Sequence, residues 1–203
     1  MKKGRFIVFE GLDGSGKSTQ ILAVAKELRR RGEKVWLTAE PTASPTGSYI
    51  RTILAESLEK DMYLQGALFL ADRIEHNTDP EDGILKHLKD GETVICDRYY
   101  YSSFAYQGTG SDLNWLMQMN LSCSQIAKPD LCIFLDVDPL TCKNRIDRDR
   151  EKAELYEHDI MLMEKIRNKF FHVFDCLKDK ENIVVVDANM EMNEVTKEIL
   201  KNV

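Results

Sequence analysis

The stretch VFEGLDGSGKSTQ, residues 8–20, decides how the rest of the chain is read. An apolar run ends at Glu10. Glycines follow at 11, 14 and 16, and then Lys17, Ser18 and Thr19 lead into a segment of helical periodicity. From Gly11 to Ser18 the spacing is G-x-x-x-x-G-K-S, the pattern of a loop whose main-chain N–H groups curl around a phosphate chain. Glycine lets the backbone turn tightly there, and the N-terminus of the following helix adds the positive end of its dipole.

This P-loop reading makes Gly11, Leu12, Asp13, Gly14, Ser15, Gly16, Lys17, Ser18 and Thr19 the expected cradle for ATP. Lys17 supplies a point charge for the β- and γ-phosphates, and Ser18 supplies a hydroxyl for Mg²⁺. The pattern is silent on what receives the phosphoryl group.

Working outward, short apolar runs recur: RFIVFE (5–10), KVWLT (34–38), TVICD (93–97), LCIFLD (131–136) and NIVVVD (182–187). Each is strand length and rich in β-branched or aromatic residues. None alternates polar with apolar, as expected where helices cover both faces of a sheet. Between them, Ile21, Leu22, Ala25 and Leu28 follow a helical period, with Gly32 placed to end that helix. Segments 62–78 and 152–178 also read as helices. Alternating strands and helices predict an α/β fold of the P-loop NTPase type. The expected form is a three-layer α/β/α sandwich on a five-stranded parallel sheet, with residues 1–203 as a single domain.

Composition narrows the class. The chain has 203 residues, 43% hydrophobic and 31% charged, with a net charge of −6. These values suit a soluble domain with a sizeable core and imply no broad basic surface for nucleic acid. No apolar run approaches the roughly 18 residues that a membrane span requires. The opening MKKGRFIVFEG reads as too short in apolar content for a signal peptide. Cysteines at 96, 123, 132, 142 and 176 form no C-x-x-C pair, which predicts reduced, mostly buried thiols and a cytoplasmic location. His76, His87, His158 and His172 show no metal-ligand spacing.

Strand ends matter in such sheets, because ligands bind beyond their carboxyl edges. Glu10, Asp97, Asp136 and Asp187 each close a strand, and each could simply cap the loop that follows. Asp97 and Arg98, directly after a buried strand, could instead hold Mg²⁺ and grip phosphate oxygens in a bidentate fork; the alternative is a local ion pair. Phe69 and Arg73 lie four apart, on one face of a helix. Together they could stack on and donate to a planar base, or the helix could bury Phe69 and expose Arg73.

Taken in order, FIVFEGLDGSGKST, EPTASPTGSYIR, LFLADR, DRYYYSSFAYQG, PDLCIFLDVDP and the R-x-x-R-x-R run at 145–150 resemble the thymidylate kinase family over about residues 5–190. The resemblance implies phosphorylation of dTMP by ATP-Mg²⁺. It places Phe69 on the thymine, Arg73 at its 4-carbonyl, and Ser103 and Gln107 on its hydrogen-bonding edge. Tyr106 lies by the deoxyribose, Asp13 reaches the 3′-hydroxyl, and Arg98 and Arg51 take the acceptor phosphate. Ser102 joins this pocket, and Glu40 and Pro41 line it near the base and the magnesium.

The metal set is then Ser18, Asp97 and Glu40. A lid at about 142–155 brings Arg145, Arg148 and Arg150 over ATP; read from the residues alone, that run is equally a solvated helical charge face. Residues 187–195 border the adenine, and family members pair as homodimers. The chain departs from many bacterial relatives at Ala39 and Thr42, where those carry arginine and glycine, so the local loop is expected to differ. Rival readings are a kinase for another nucleotide or a deoxynucleoside, a P-loop ATPase switch, and a catalytically silent relative.

Overall fold

A computed structural model describes residues 4–56, 61–149 and 159–203. The strands are β1 (Phe6–Gly11), β2 (Val35–Ala39), β3 (Thr93–Asp97), β4 (Leu131–Asp136) and β5 (Ile183–Asp187). They form one all-parallel sheet in the order β2-β3-β1-β4-β5. β1 sits centrally and is buried throughout, whereas β2 and β5, at the edges, are only partly covered. The continuous apolar character of the inner strands follows from this double coverage.

The described helices are α1 (Lys17–Arg30), α2 (Pro45–Ala55), α3 (Met62–Thr78), α4 (Ile84–Lys89), α5 (Tyr100–Tyr106), α6 (Leu113–Leu121), α7 (Pro139–Asp149), α8 (Ile160–Leu177) and α9 (Met192–Leu200). α1 buries Ile21, Val24, Ala25 and Leu28, while Leu22 is 62% exposed. The apolar stripe therefore runs i, i+3, i+4, i+7, and Leu22 falls off it. The helix stops where Gly32 takes a φ of +86° and donates to the Arg29 carbonyl. Asp61 caps α3 by accepting from the N–H groups of Tyr63 and Leu64. Asp159 caps α8 in the same way, so this helix starts later than expected; residues 152–158 lie outside the described residues.

The aromatic heart of the core is Phe134 of β4 against Phe170 and Phe174 of α8, with ring centroids 4.9 and 5.1 Å apart. Cys96, Cys132 and Cys142 are buried thiols, Cys123 is half-buried and Cys176 exposed. Among the described residues no helix is long and apolar enough to cross a membrane.

Topology creates the site. After β1 the chain runs to the β2 edge, returns to β3 and then crosses to β4 on the far side of β1. A crevice opens where the direction reverses, beyond the carboxyl ends of β1 and β3. In-register pairing sets Phe9 beside Asp97, and the Arg98 N–H donates to the Phe9 carbonyl at 2.9 Å. The loops after β1 and β3 thus emerge side by side.

The acidic strand ends divide by role. Asp136 pairs with Arg167 at 2.6 Å, and Asp187 caps its own turn through Asn189. Asp97 lines the crevice, whereas Glu10 is buried beneath it.

Candidate active site

The loop between β1 and α1 packs tightly against α7. Gly14 has a φ of +78°, and a Cβ there would sit 2.5 Å from the Cys142 carbonyl oxygen. Arg145 of α7 donates to the Gly14 carbonyl at 3.2 Å. Lys17 reaches back over the loop and donates to the carbonyls of Gly11 (3.1 Å) and Leu12 (2.9 Å). Burial, and next the nearby Arg98, push its pKa below the usual lysine value. Ser18 Oγ lies 3.4 Å from Asp97 Oδ2, while Asp97 Oδ1 is buried without a hydrogen-bond partner. An orphaned carboxylate oxygen beside a hydroxyl, at the mouth of a phosphate cradle, suits a hydrated divalent cation.

Arg98 follows Asp97 with a φ of +67°, a left-handed conformation uncommon outside glycine. Its guanidinium meets Asp13 at 2.6 Å, donates to Ser102 at 3.1 Å and lies over the Tyr106 ring. Glu10 lies beneath this turn, fully buried. It accepts from the N–H groups of Tyr99 (2.8 Å) and Ser102 (3.1 Å) and from the Ser102 hydroxyl (2.6 Å). Burial raises the Glu10 pKa to about 7, with Arg98 and these hydrogen bonds pulling the other way. Burial likewise pushes the Tyr106 phenol up, keeping it neutral.

At the opposite end of the crevice Arg73 of α3 is 1% exposed. Its Nε and Nη2 both close on Glu40 Oε2, at 2.8 and 2.6 Å. Nη1 donates to Asn120 at 2.6 Å and Nη2 to Ser103 at 3.2 Å. Phe69, one turn earlier, is half-buried, so the arginine is the buried member of the pair and the phenyl ring the more open one. Gln107, 2% exposed, points its amide toward Gln65. The remaining oxygen of Glu40 meets His76 at 3.1 Å. Both carboxylate oxygens of Glu40 are thus engaged at this end of the cleft, Oε2 by Arg73 and Oε1 by His76.

The loop after Glu40 and Pro41 is fastened by Asp72. This buried carboxylate accepts from the Thr42 N–H at 2.9 Å and from the Thr42 and Ser44 hydroxyls. Ser44 in turn caps α2 by accepting from the Gly47 N–H. Thr42, the departure noted above, is thus a hydrogen-bonding anchor. Gly47 is required because a Cβ would overlap the Thr42 carbonyl.

The loop after β1, the turn after β3 and the Arg73 end of α3 line one cleft of about 750 Å³. Asp13 to Thr19 form one wall, and Glu40, Pro41, Arg51, Phe69 and Arg73 another. Asp97, Arg98, Ser102, Ser103, Tyr106 and Gln107 form the floor. Arg145 and Arg148 reach the same cleft, and Ala188, Met190, Met192 and Val195 close its far end. Gly11 and Leu12 contribute carbonyls behind the loop; Arg150 lies outside the described residues.

Sequence reading missed the supporting residues Gln65, Asp72, His76 and Asn120. A signal was present for three of them. Gln65, Phe69, Asp72, Arg73 and His76 recur at three- and four-residue spacing, a polar stripe on a helix that should otherwise bury apolar groups.

Comparison with known proteins agrees with this geometry. A thymidylate kinase family profile matches residues 9–199. A probable thymidylate kinase of Pyrococcus horikoshii is 38% identical over 98% of this chain and 95% of its own. A thymidylate kinase of Caldicellulosiruptor saccharolyticus is 36% identical over 98% of each. The solved thymidylate kinase of Candida albicans superposes with a TM-score of 0.82 at 25% identity, covering 98% of this chain and 91% of that one. The chain belongs to the thymidylate kinase family.

Proposed function

We propose that the protein transfers the terminal phosphoryl group of ATP to dTMP, yielding dTDP and ADP, with the two nucleotides meeting end to end in the cleft. One observation carries this reading: a single cleft has a phosphate cradle at one end and, at the other, a half-buried aromatic ring beside a buried arginine.

Phe69 stacks on the thymine. Arg73 keeps a second N–H on Nη1 for the 4-carbonyl, and Ser103 and Gln107 satisfy the rest of the base edge. A base with the wrong donor pattern leaves buried groups unpaired, at about 1–3 kcal/mol each. Tyr106 and Asp13 flank the sugar. Arg98 and Arg51 hold the acceptor phosphate, while Lys17 and the N–H groups of residues 13–19 hold the donor's. Arg145 and Arg148 close over the transferring group, with Arg150 the third arginine of the same run. Ala188, Met190 and Met192 offer the donor base an apolar wall.

Ser18 and Asp97 would hold Mg²⁺, which neutralises charge on the β- and γ-phosphates when bound. The acceptor is already an ionised phosphate, so no strong general base is needed. Positioning and charge neutralisation do most of the work. We assign the protein to a reducing, cytoplasmic compartment, as its free thiols suggest, with residues 1–203 as one domain. Pairing of two copies through α3 and α6 is supported by exposed Tyr63, Leu64 and Leu121.

The test is ADP release with ATP-Mg²⁺ against dTMP, dUMP, dCMP, dGMP, UMP, AMP and thymidine. A strong rate with dTMP and little with the others is expected. Slow release that is equal with every acceptor and with none would replace this reading with that of an ATPase switch.

A further inference from the structure

We propose that His76 is a positioning residue for base recognition: it holds one oxygen of Glu40 so that the other can aim Arg73 into the cleft. The proposal rests on the assignment of Arg73 to the acceptor base made above.

His76 is 7% exposed and lies three residues beyond Arg73, on the same face of α3. It stands behind Glu40 as seen from the cleft. Its Nδ1 is 3.1 Å from Glu40 Oε1 and its Nε2 is 2.6 Å from Thr38 Oγ1. A carboxylate paired with a guanidinium only accepts hydrogen bonds. Nδ1 therefore carries a proton and donates it to Oε1. Nε2 is hydrogen-bonded to the Thr38 hydroxyl. The chain runs Thr38 to His76 to Glu40, with Arg73 donating to Glu40 from the other side.

The arrangement has a geometric cost that identifies its purpose. Arg73 would ordinarily meet a carboxylate with two parallel bonds to two oxygens. Here Nε and Nη2 share the single oxygen Oε2, while His76 holds Oε1 turned away from the guanidinium. Remove the His76 donor, and Glu40 is free to rotate and take Arg73 in the two-oxygen fork. That rotation draws the guanidinium away from Asn120 and Ser103, which fix its present plane at 2.6 and 3.2 Å. The residue would stay buried and charged but would be misdirected at the base.

The experiment compares His76→Leu, which removes both ring nitrogens, with His76→Asn, whose Nδ2 takes the place of Nδ1 and keeps the donor to Glu40. His76→Leu is expected to raise the KM for dTMP about tenfold, the order set by one misdirected hydrogen bond. It should narrow the preference for dTMP over dCMP and leave the KM for ATP unchanged. His76→Asn should stay within about threefold of the parent, since its donor survives. Independently of any substrate, ¹⁵N NMR of the ligand-free parent should show a protonated Nδ1 on His76.

Equal loss in both variants, or a parallel rise in both KM values, would reduce His76 to a packing residue and overturn the proposal. A ring protonated only on Nε2 would do the same. A parent protein with no dTMP-dependent turnover but the expected Nδ1 proton would locate the failure in the acceptor assignment, and the proposal would fall with it.

Discussion

Arg98 and Asp13 close an ion pair at 2.6 Å although 85 residues separate them in the chain. The pair ties the loop after β3 to the loop after β1. Arg98 makes it from a left-handed backbone conformation, with a φ of +67°. Replacing Arg98 by alanine should lower kcat with dTMP by about 100-fold or more, the usual loss when a preorganised cationic donor is removed. Arg98→Lys keeps the charge but loses the fork and should recover little of this. Steady-state kinetics with saturating ATP measure both; a lysine variant at full activity would remove the bidentate role.

Asp97, with Oδ1 unpartnered and Oδ2 3.4 Å from Ser18 Oγ, is with Ser18 the proposed seat of Mg²⁺. Chelation with EDTA should abolish turnover, and excess Mg²⁺ should restore it. Ser18→Ala and Asp97→Asn should each raise the Mg²⁺ concentration needed for half-maximal rate by roughly 10–100-fold. An unchanged Mg²⁺ titration in both variants would move the cation elsewhere.

Arg73 and Glu40 form a buried pair with side-chain exposures of 1% and 2%. Arg73→Ala strands a buried carboxylate and should cost about 3–5 kcal/mol of stability in urea unfolding. Under conditions where the variant remains folded, the KM for dTMP should rise while ATP affinity is retained. Equal loss of both affinities would show that Arg73 does not read the acceptor.

Glu10 gives stability a pH dependence whose sign can be worked out. Its pKa rises from 4.5 to about 7 on folding, chiefly through burial. Between those values the native state holds a proton that the unfolded chain has released, so stability falls as pH rises through the window. The gap of about 2.5 pH units corresponds to up to about 3 kcal/mol. Glu10→Gln should flatten the profile between pH 5 and 8, as measured by urea midpoints. Parallel profiles for parent and variant would exclude this carboxylate as the cause.

The sheet was legible from sequence because its strands are continuous apolar runs, and the phosphate cradle was legible because glycine spacing carries its own mechanism. Phe69, Arg73, Asp97 and Arg98 were legible as positions, though not their surroundings. Whether Arg73 was buried or exposed turned on Glu40 and Asn120, 33 and 47 residues away along the chain. Leu22 shows the limit from the other side: a leucine next to a core residue faced solvent because helical phase, not hydrophobicity, decides burial. Glu10 was legible as an acid at a strand end, but its three hydrogen bonds come from residues 89 to 92 positions away. No local pattern encodes such a distance.

Asp72 has a consequence for molecular measurement. One carboxylate on α3 fastens the loop that starts α2, so Arg51 on α2 and Arg73 on α3 are held like the jaws of a calliper. Under the proposed assignment one jaw would meet the base and the other the phosphate, which would make the gap a gauge of the acceptor's length. A nucleoside would then fall short of the second jaw and a diphosphate would overrun it, so that Thr42 and Ser44, through Asp72, would help set the number of phosphates that fits.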